Sequence, residues 1–153
     1  MREINNRVIT DEMITATDQM DRSGLTKSMI SEGITFVYDV IDQIDARLLQ
    51  YEFKLADVVE LTDLSSIIGN LIRHGMIEAS NGRFVNNVPH KYLDMLANSP
   101  EAEDIEIKIS LENNKPKGHL PKIGNYLTFR YVLGDSDGAL HQIRSFCYFE
   151  HLF

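Results

Sequence analysis

At Gly75 the hydrophobic pattern of the chain changes period, and this change limits the fold more than any other feature. Upstream, Ile34, Val37, Ile41, Ile44 and Leu48 recur three and four apart, and Leu64, Ile67, Ile68, Leu71 and Ile72 form a second stripe. Such spacing places each set on one face of a helix. Downstream the pattern alternates, which predicts short strands over 83–88, 104–110, 126–133 and 143–149. Helices followed by a run of strands imply an α+β domain, with N-terminal helices packed on a small mixed β-sheet. The expected division is a helical arm over 1–62, offering a dimerisation or partner surface, and an α/β core over 63–153.

Local signals refine these bounds. Thr10-Asp11-Glu12 offers cap chemistry for a first amphipathic stretch, and Ser23-Gly24-Leu25-Thr26 breaks it. Thr62 is placed to cap the second striped helix, and Gly75 to end it. Asn81-Gly82 predicts a turn and Asn98-Ser99-Pro100 a loop. Asp135-Ser136-Asp137-Gly138 predicts a turn between the last two strands. It lacks the later bidentate glutamate of a calcium loop.

With 153 residues and 43% apolar content, one domain can bury a sizeable core. No apolar run approaches the roughly 18 to 20 residues that span a bilayer, and no leader-type segment is seen. A soluble, cytoplasmic protein without a membrane partner is expected. The single cysteine, Cys147, reads as a small buried apolar residue of a reducing compartment.

The net charge of −8 is unfavourable for binding nucleic acid as a whole. Its distribution is uneven, however. Residues 1–66 hold 6 basic and 13 acidic groups, whereas residues 107–130 hold 5 basic groups and 1 acidic group. A local basic stretch of this kind permits DNA binding in one groove.

The chemistry-bearing element is Asp104-Ile105-Glu106-Ile107-Lys108-Ile109-Ser110. Strict alternation puts Asp104, Glu106, Lys108 and Ser110 on one strand face and the three isoleucines on the other, under the helices. Glu106 and Lys108 then stand about 6 to 7 Å apart along the strand. A carboxylate can hold Mg²⁺, which prefers oxygen ligands, and a lysine can orient a water or offset charge on phosphorus. One carboxylate is a poor magnesium site. Asp94, twelve residues before Glu106, can join it through a hairpin. An ordinary solvated strand face would look the same in the Glu-x-Lys residues alone.

Taken together, residues 65–108 resemble the core of the MutH and NaeI-like group of PD-(D/E)XK nucleases. Ile68-Gly69-Asn70-Leu71-Ile72 is similar to that group's helix opening. Asn86-Asn87 and Leu93-Asp94 match its middle, and Ile105-Glu106-Ile107-Lys108 its acid-x-Lys strand. The preceding helix, 42–61, gives weaker support. The resemblance implies a restriction-endonuclease-like core and a metal-dependent endodeoxyribonuclease of restriction or repair type. Asp94 and Glu106 would bind Mg²⁺, with Mn²⁺ a substitute, and Lys108 would be the catalytic lysine. Double-stranded DNA would be the substrate, and a homodimer or a partner subunit would supply the second cut.

Three departures bear on that expectation. Arg73 stands where the family helix carries glutamate, and Glu78, five residues on, points elsewhere. The acidic stretch Glu101-Ala102-Glu103-Asp104 lies between Asp94 and Glu106. The chain is also short for the family, so a truncated core, lacking the closing helix and strand, is expected. These departures leave a catalytically weakened protein that binds DNA or a protein partner as the alternative.

The segment after the strand, 112–122, is basic and stiffened by two prolines. Lys115, Lys117, His119 and Lys122 could meet phosphate, together with Arg130, and Asn113 or Asn114 could read an adenine edge. A solvated loop explains the same residues equally well. Tyr126, Phe129 and Tyr131 read as core packing rather than base-stacking platforms. The five histidines lack zinc-site spacing.

Overall fold

The computed structural model describes residues 9, 13–15, 17–111, 124–133 and 140–150. Its helices are α1 (Thr17–Ser23), α2 (Lys27–Leu48), α3 (Leu55–Val58) and α4 (Leu61–Ala79). Its strands are β1 (Ile14–Thr15), β2 (Phe84–Asn86), β3 (Met95–Ala97), β4 (Ile105–Leu111), β5 (Gly124–Leu133) and β6 (Leu140–Glu150). They form one mixed sheet in the order β1-β6-β5-β4-β3-β2. The expected α+β architecture, helices against a mixed sheet, is present. No helix among the described residues is long and apolar enough to cross a membrane.

Ser23-Gly24-Leu25-Thr26 does separate two helices. Gly24 adopts φ 83°, a left-handed conformation that favours glycine. Thr26 caps α2, its Oγ1 accepting the Met29 N–H at 3.1 Å. The acidic stretch 101–104 docks against this break. A Cβ on Gly24 would lie 2.9 Å from the Ala102 Cα, and the Glu103 N–H donates to the Ser23 carbonyl at 3.0 Å. The insertion between Asp94 and Glu106 is thus tied to the helical layer and leaves the site free.

Gly75 does not end a helix. It is buried within α4, which continues to Ala79. A Cβ at Gly75 would come within 2.9 Å of the Gly33 Cα and of the Phe36 Cβ. The two glycines let α2 and α4 touch backbone to backbone, a non-local demand that the local capping pattern mimics. The turn comes later, where Asn81 and Gly82 both take positive φ. Thr62 is likewise not the cap. Glu60 holds that position without a side-chain hydrogen bond, and Thr62 sits in the first turn.

The apolar face of α2 (Ile30, Ile34, Val37) and that of α4 (Leu64, Ile68, Ile72) share one core with the sheet. Register fixes which sheet residues join them. In the parallel pair β4–β5, Ile107 stands beside Leu127 and Ile109 beside Phe129, facing the helices. The Tyr131 hydroxyl lies 2.9 Å from the Ser65 Oγ on α4. Phe129 and Tyr131 are therefore core residues. Tyr126 belongs to the opposite face, beside Glu106. The strands at β1 and β3 have two and three residues, too few to show a period, and sequence patterning does not find them.

Candidate active site

The site begins with a register. Met95 on β3 pairs antiparallel with Ile105 on β4, so Asp94 stands opposite Glu106. The Asp94 N–H donates to the Ile105 carbonyl at 2.9 Å, at the end of this ladder. Beyond it, side chains take over. Asp94 Oδ2 accepts the Ile107 N–H at 2.7 Å, and Glu106 Oε2 accepts the Leu93 N–H at 3.0 Å. The hairpin expected from sequence does bring the two acids together.

Each carboxylate keeps a second oxygen, and each faces a cation. Glu106 Oε1 is 3.4 Å from Lys108 Nζ, and Asp94 Oδ1 is 3.7 Å from Arg73 Nη1. Arg73 Nη2 also donates to Asn70 Oδ1 at 3.3 Å, one turn back on α4. The Glu106 side chain is only 14% exposed. Burial, and next the like charge of Asp94, push its carboxyl above the usual range, and Lys108 opposes the shift. Two acids and two bases thus face one another in a balanced, partly buried cluster.

The cluster opens on a cavity of about 470 Å³. Its helix wall is the α4 face carrying Ser65, Gly69, Asn70 and Arg73, residues three and four apart. Its strand wall carries Glu106, Lys108 and Ser110. Gly69 permits the approach, since a Cβ there would sit 3.1 Å from Ile109 Cγ1. The cavity follows the edge of β4 beyond the short β3. Ser110 is 5% exposed, and its hydroxyl has no hydrogen-bond partner among the described residues. A buried hydroxyl left so is costly.

A support behind the acids was not legible. Leu93 takes φ 71°, unusual for a branched side chain, and this turn aims its N–H at Glu106. Asn87 holds it there. Its Nδ2 donates to the carbonyls of Tyr92 and Leu93, each at 2.9 Å. The Tyr92 and Tyr126 hydroxyls meet at 3.1 Å behind the same turn. Burial and the neighbouring Tyr126 raise the Tyr92 pKa, so its hydroxyl stays protonated. Asn87 belongs to the stretch singled out from sequence, but nothing in its spacing marks it as a clamp.

Of the expected site residues, Asp94, Glu106 and Lys108 converge. Arg130 lies on β5 beside Ser110, on the strand face shared with Glu106 and Lys108. Asn113, Asn114, Lys115, Lys117, His119 and Lys122 lie outside the described residues, as does the 135–138 turn. Glu78 is exposed and does not line the cavity. Among the described residues, no group of three or more His, Cys, Asp or Glu could hold a metal ion. Comparison with family models, curated proteins and solved structures finds no match.

Proposed function

We propose that this protein is a divalent-metal-dependent endodeoxyribonuclease of the PD-(D/E)XK kind, acting on double-stranded DNA as a homodimer or with a partner subunit. The observation that carries the reading is the reciprocal tie between Asp94 and Glu106, with Lys108 Nζ 3.4 Å from Glu106. Two acids and a lysine are presented on the rim of a cavity at a strand end.

The donor set fits Mg²⁺ or Mn²⁺. Each acid spends one oxygen on a backbone amide and retains one. In a strand the Ile107 carbonyl points to the same edge as its N–H, which donates to Asp94, and would be available as a third hard oxygen. A third acid is not required, because Mg²⁺ keeps several waters. When bound, the ion would polarise the phosphate and acidify a water.

The remaining work falls to the chain. Glu106 must be ionised, and Lys108 favours that state. The Lys108 ammonium can then orient the attacking water, or donate to a phosphate oxygen as negative charge builds there. The water oxygen bonds to phosphorus, the bond from phosphorus to one sugar oxygen breaks, and that oxygen takes up a proton. One such site cuts one strand, which is why two copies or a partner are proposed.

Plasmid incubation with Mg²⁺, Mn²⁺ or EDTA tests this, comparing the wild type with Lys108→Ala. Metal-dependent nicking that the variant loses is the expected result. Equal nicking by both proteins would overturn it. The alternative, a weakened relative that binds DNA without cutting, is favoured by the Arg73 guanidinium at Asp94 Oδ1. It would appear as salt-sensitive DNA retention with no nicking in any metal.

A further inference from the structure

Arg73 occupies an unexpected place for a cation. It projects from α4 into the rim of the cavity, beside Asp94 Oδ1, one of two carboxylate oxygens not spent on the backbone. The contact is 3.7 Å and the two side chains are 33% and 28% exposed, so the pair is loose. Asn70 supports the far side of the guanidinium through Nη2, which holds the side chain toward the cavity. An arginine has five N–H donors in a planar fork, and the two contacts named leave donors over. The same fork matches the geometry of phosphate.

We infer that Arg73 is a resident counter-cation that pairs with Asp94 until a divalent ion takes that carboxylate, and then grips a phosphate oxygen in the cavity. The inference rests on the metal-dependent reading above. It assigns a phosphate-binding role to a residue on the helix wall, opposite Lys108 on the strand wall. The two walls then hold one phosphate between them.

The role has an unusual signature, because it affects metal and phosphate in opposite directions. Removing a cation from beside Asp94 strengthens the pull on a divalent ion. Removing the same cation from the cavity weakens the pull on an anion. An arginine that merely braces α4 would not divide its effects in this way.

The test uses the full chain and two titrations, of Mn²⁺ alone and of inorganic phosphate at saturating Mg²⁺, for the wild type, Arg73→Gln and Arg73→Lys. Arg73→Gln is expected to bind Mn²⁺ roughly two- to fivefold more tightly, the range a half-exposed ion pair supports. It is expected to bind phosphate about fivefold or more weakly, with Arg73→Lys between it and the wild type. Arg73→Lys keeps the charge and guards against a folding defect in the neutral variant. Unchanged or weaker Mn²⁺ binding by Arg73→Gln overturns the inference, as does unchanged phosphate binding. Opposite shifts without plasmid nicking in any metal would uphold the Arg73 role and remove the nuclease reading. Nicking without opposite shifts would do the reverse.

Discussion

Asp94 and Glu106 each accept the main-chain N–H that flanks the other, Asp94 from Ile107 at 2.7 Å and Glu106 from Leu93 at 3.0 Å. The β3–β4 ladder therefore ends in two side-chain caps, and the acids are fixed by the strands they terminate. Structure and site share the same bonds, so a substitution there need not separate stability from chemistry. The choice of replacement can.

Asp94→Asn keeps an oxygen able to accept the Ile107 N–H, whereas Asp94→Ala leaves that amide without its acceptor. The alanine variant is expected to lose about 1–2 kcal/mol of unfolding free energy, and the asparagine variant less than half of that. Both are expected to lose Mn²⁺ affinity by tenfold or more, since the ionised Oδ1 is gone in each. Urea denaturation beside a Mn²⁺ titration checks the pair. Equal stability loss in both variants would mean that the Ile107 bond matters little.

Glu106 supplies a pH signature. Its folded carboxyl is raised above the ordinary 4.5, first by burial and then by Asp94. The folded state therefore binds that proton more tightly than the unfolded chain does, and the metal-free protein is stabilised by it at and below the ordinary value. That stabilisation is lost as pH rises through the raised value. Asp45, also raised by burial, adds in the same direction, so the test is a difference. Wild-type melting temperature should fall relative to Glu106→Gln as pH rises across this window. Lys108→Met should move the window upward, because Lys108 holds the Glu106 pKa down. A wild-type-minus-variant difference independent of pH would remove the assignment.

How far the chain could be read from its residues depended on the range of the interaction. Glu106 and Lys108 were legible because strand alternation is a local property, and so was the face of Ile105 and Ile107. Asp94 was legible because a hairpin needs only a loop and a second strand segment. Gly75 was misread because its partner, Gly33, is 42 residues away and a glycine near a helix end looks like a cap. β3 was missed because Met95-Leu96-Ala97 is too short to show a period. Arg73 stood out as the residue replacing a glutamate. Its pairing with Asp94 crosses from α4 to the sheet, however, and no spacing rule relates those elements.

The two α4 glycines should respond differently to alanine. Alanine gains up to about 1 kcal/mol in helix propensity over glycine. At Gly75 the new methyl would lie 2.9 Å from backbone on α2, which cannot yield without parting the helices. A net loss of about 1–3 kcal/mol is expected there. At Gly69 the nearest atom is Ile109 Cγ1 at 3.1 Å, a side-chain atom beside a cavity with room to shift. Gly69→Ala is expected within about 1 kcal/mol of the wild type. Thermal melts of the two variants should rank Gly75→Ala well below Gly69→Ala, and the reverse order would contradict the close α2–α4 crossing.

Asn87 offers the cleanest separation of support from chemistry, because it does not line the cavity and acts on the site through the turn it holds. Its Nδ2 binds the Tyr92 and Leu93 carbonyls, and Leu93 at φ 71° then presents its N–H to Glu106. Without the clamp, that strained turn can relax toward ordinary φ, and Glu106 Oε2 loses its amide. Asn87→Ala should therefore cost about 1–2 kcal/mol in stability. It should also raise the Glu106 midpoint further, since the Leu93 N–H is one of the groups that lower it. Asn87→Asp keeps the Oδ1 that accepts the Val88 N–H at 2.7 Å but turns a carboxylate oxygen toward two carbonyls. It should be the less stable of the two at neutral pH and recover as that new acid is protonated. Side-chain carboxyl titration by NMR, run with the melts, checks both effects. A Glu106 midpoint unmoved in Asn87→Ala would show that the Leu93 turn holds its shape without Asn87.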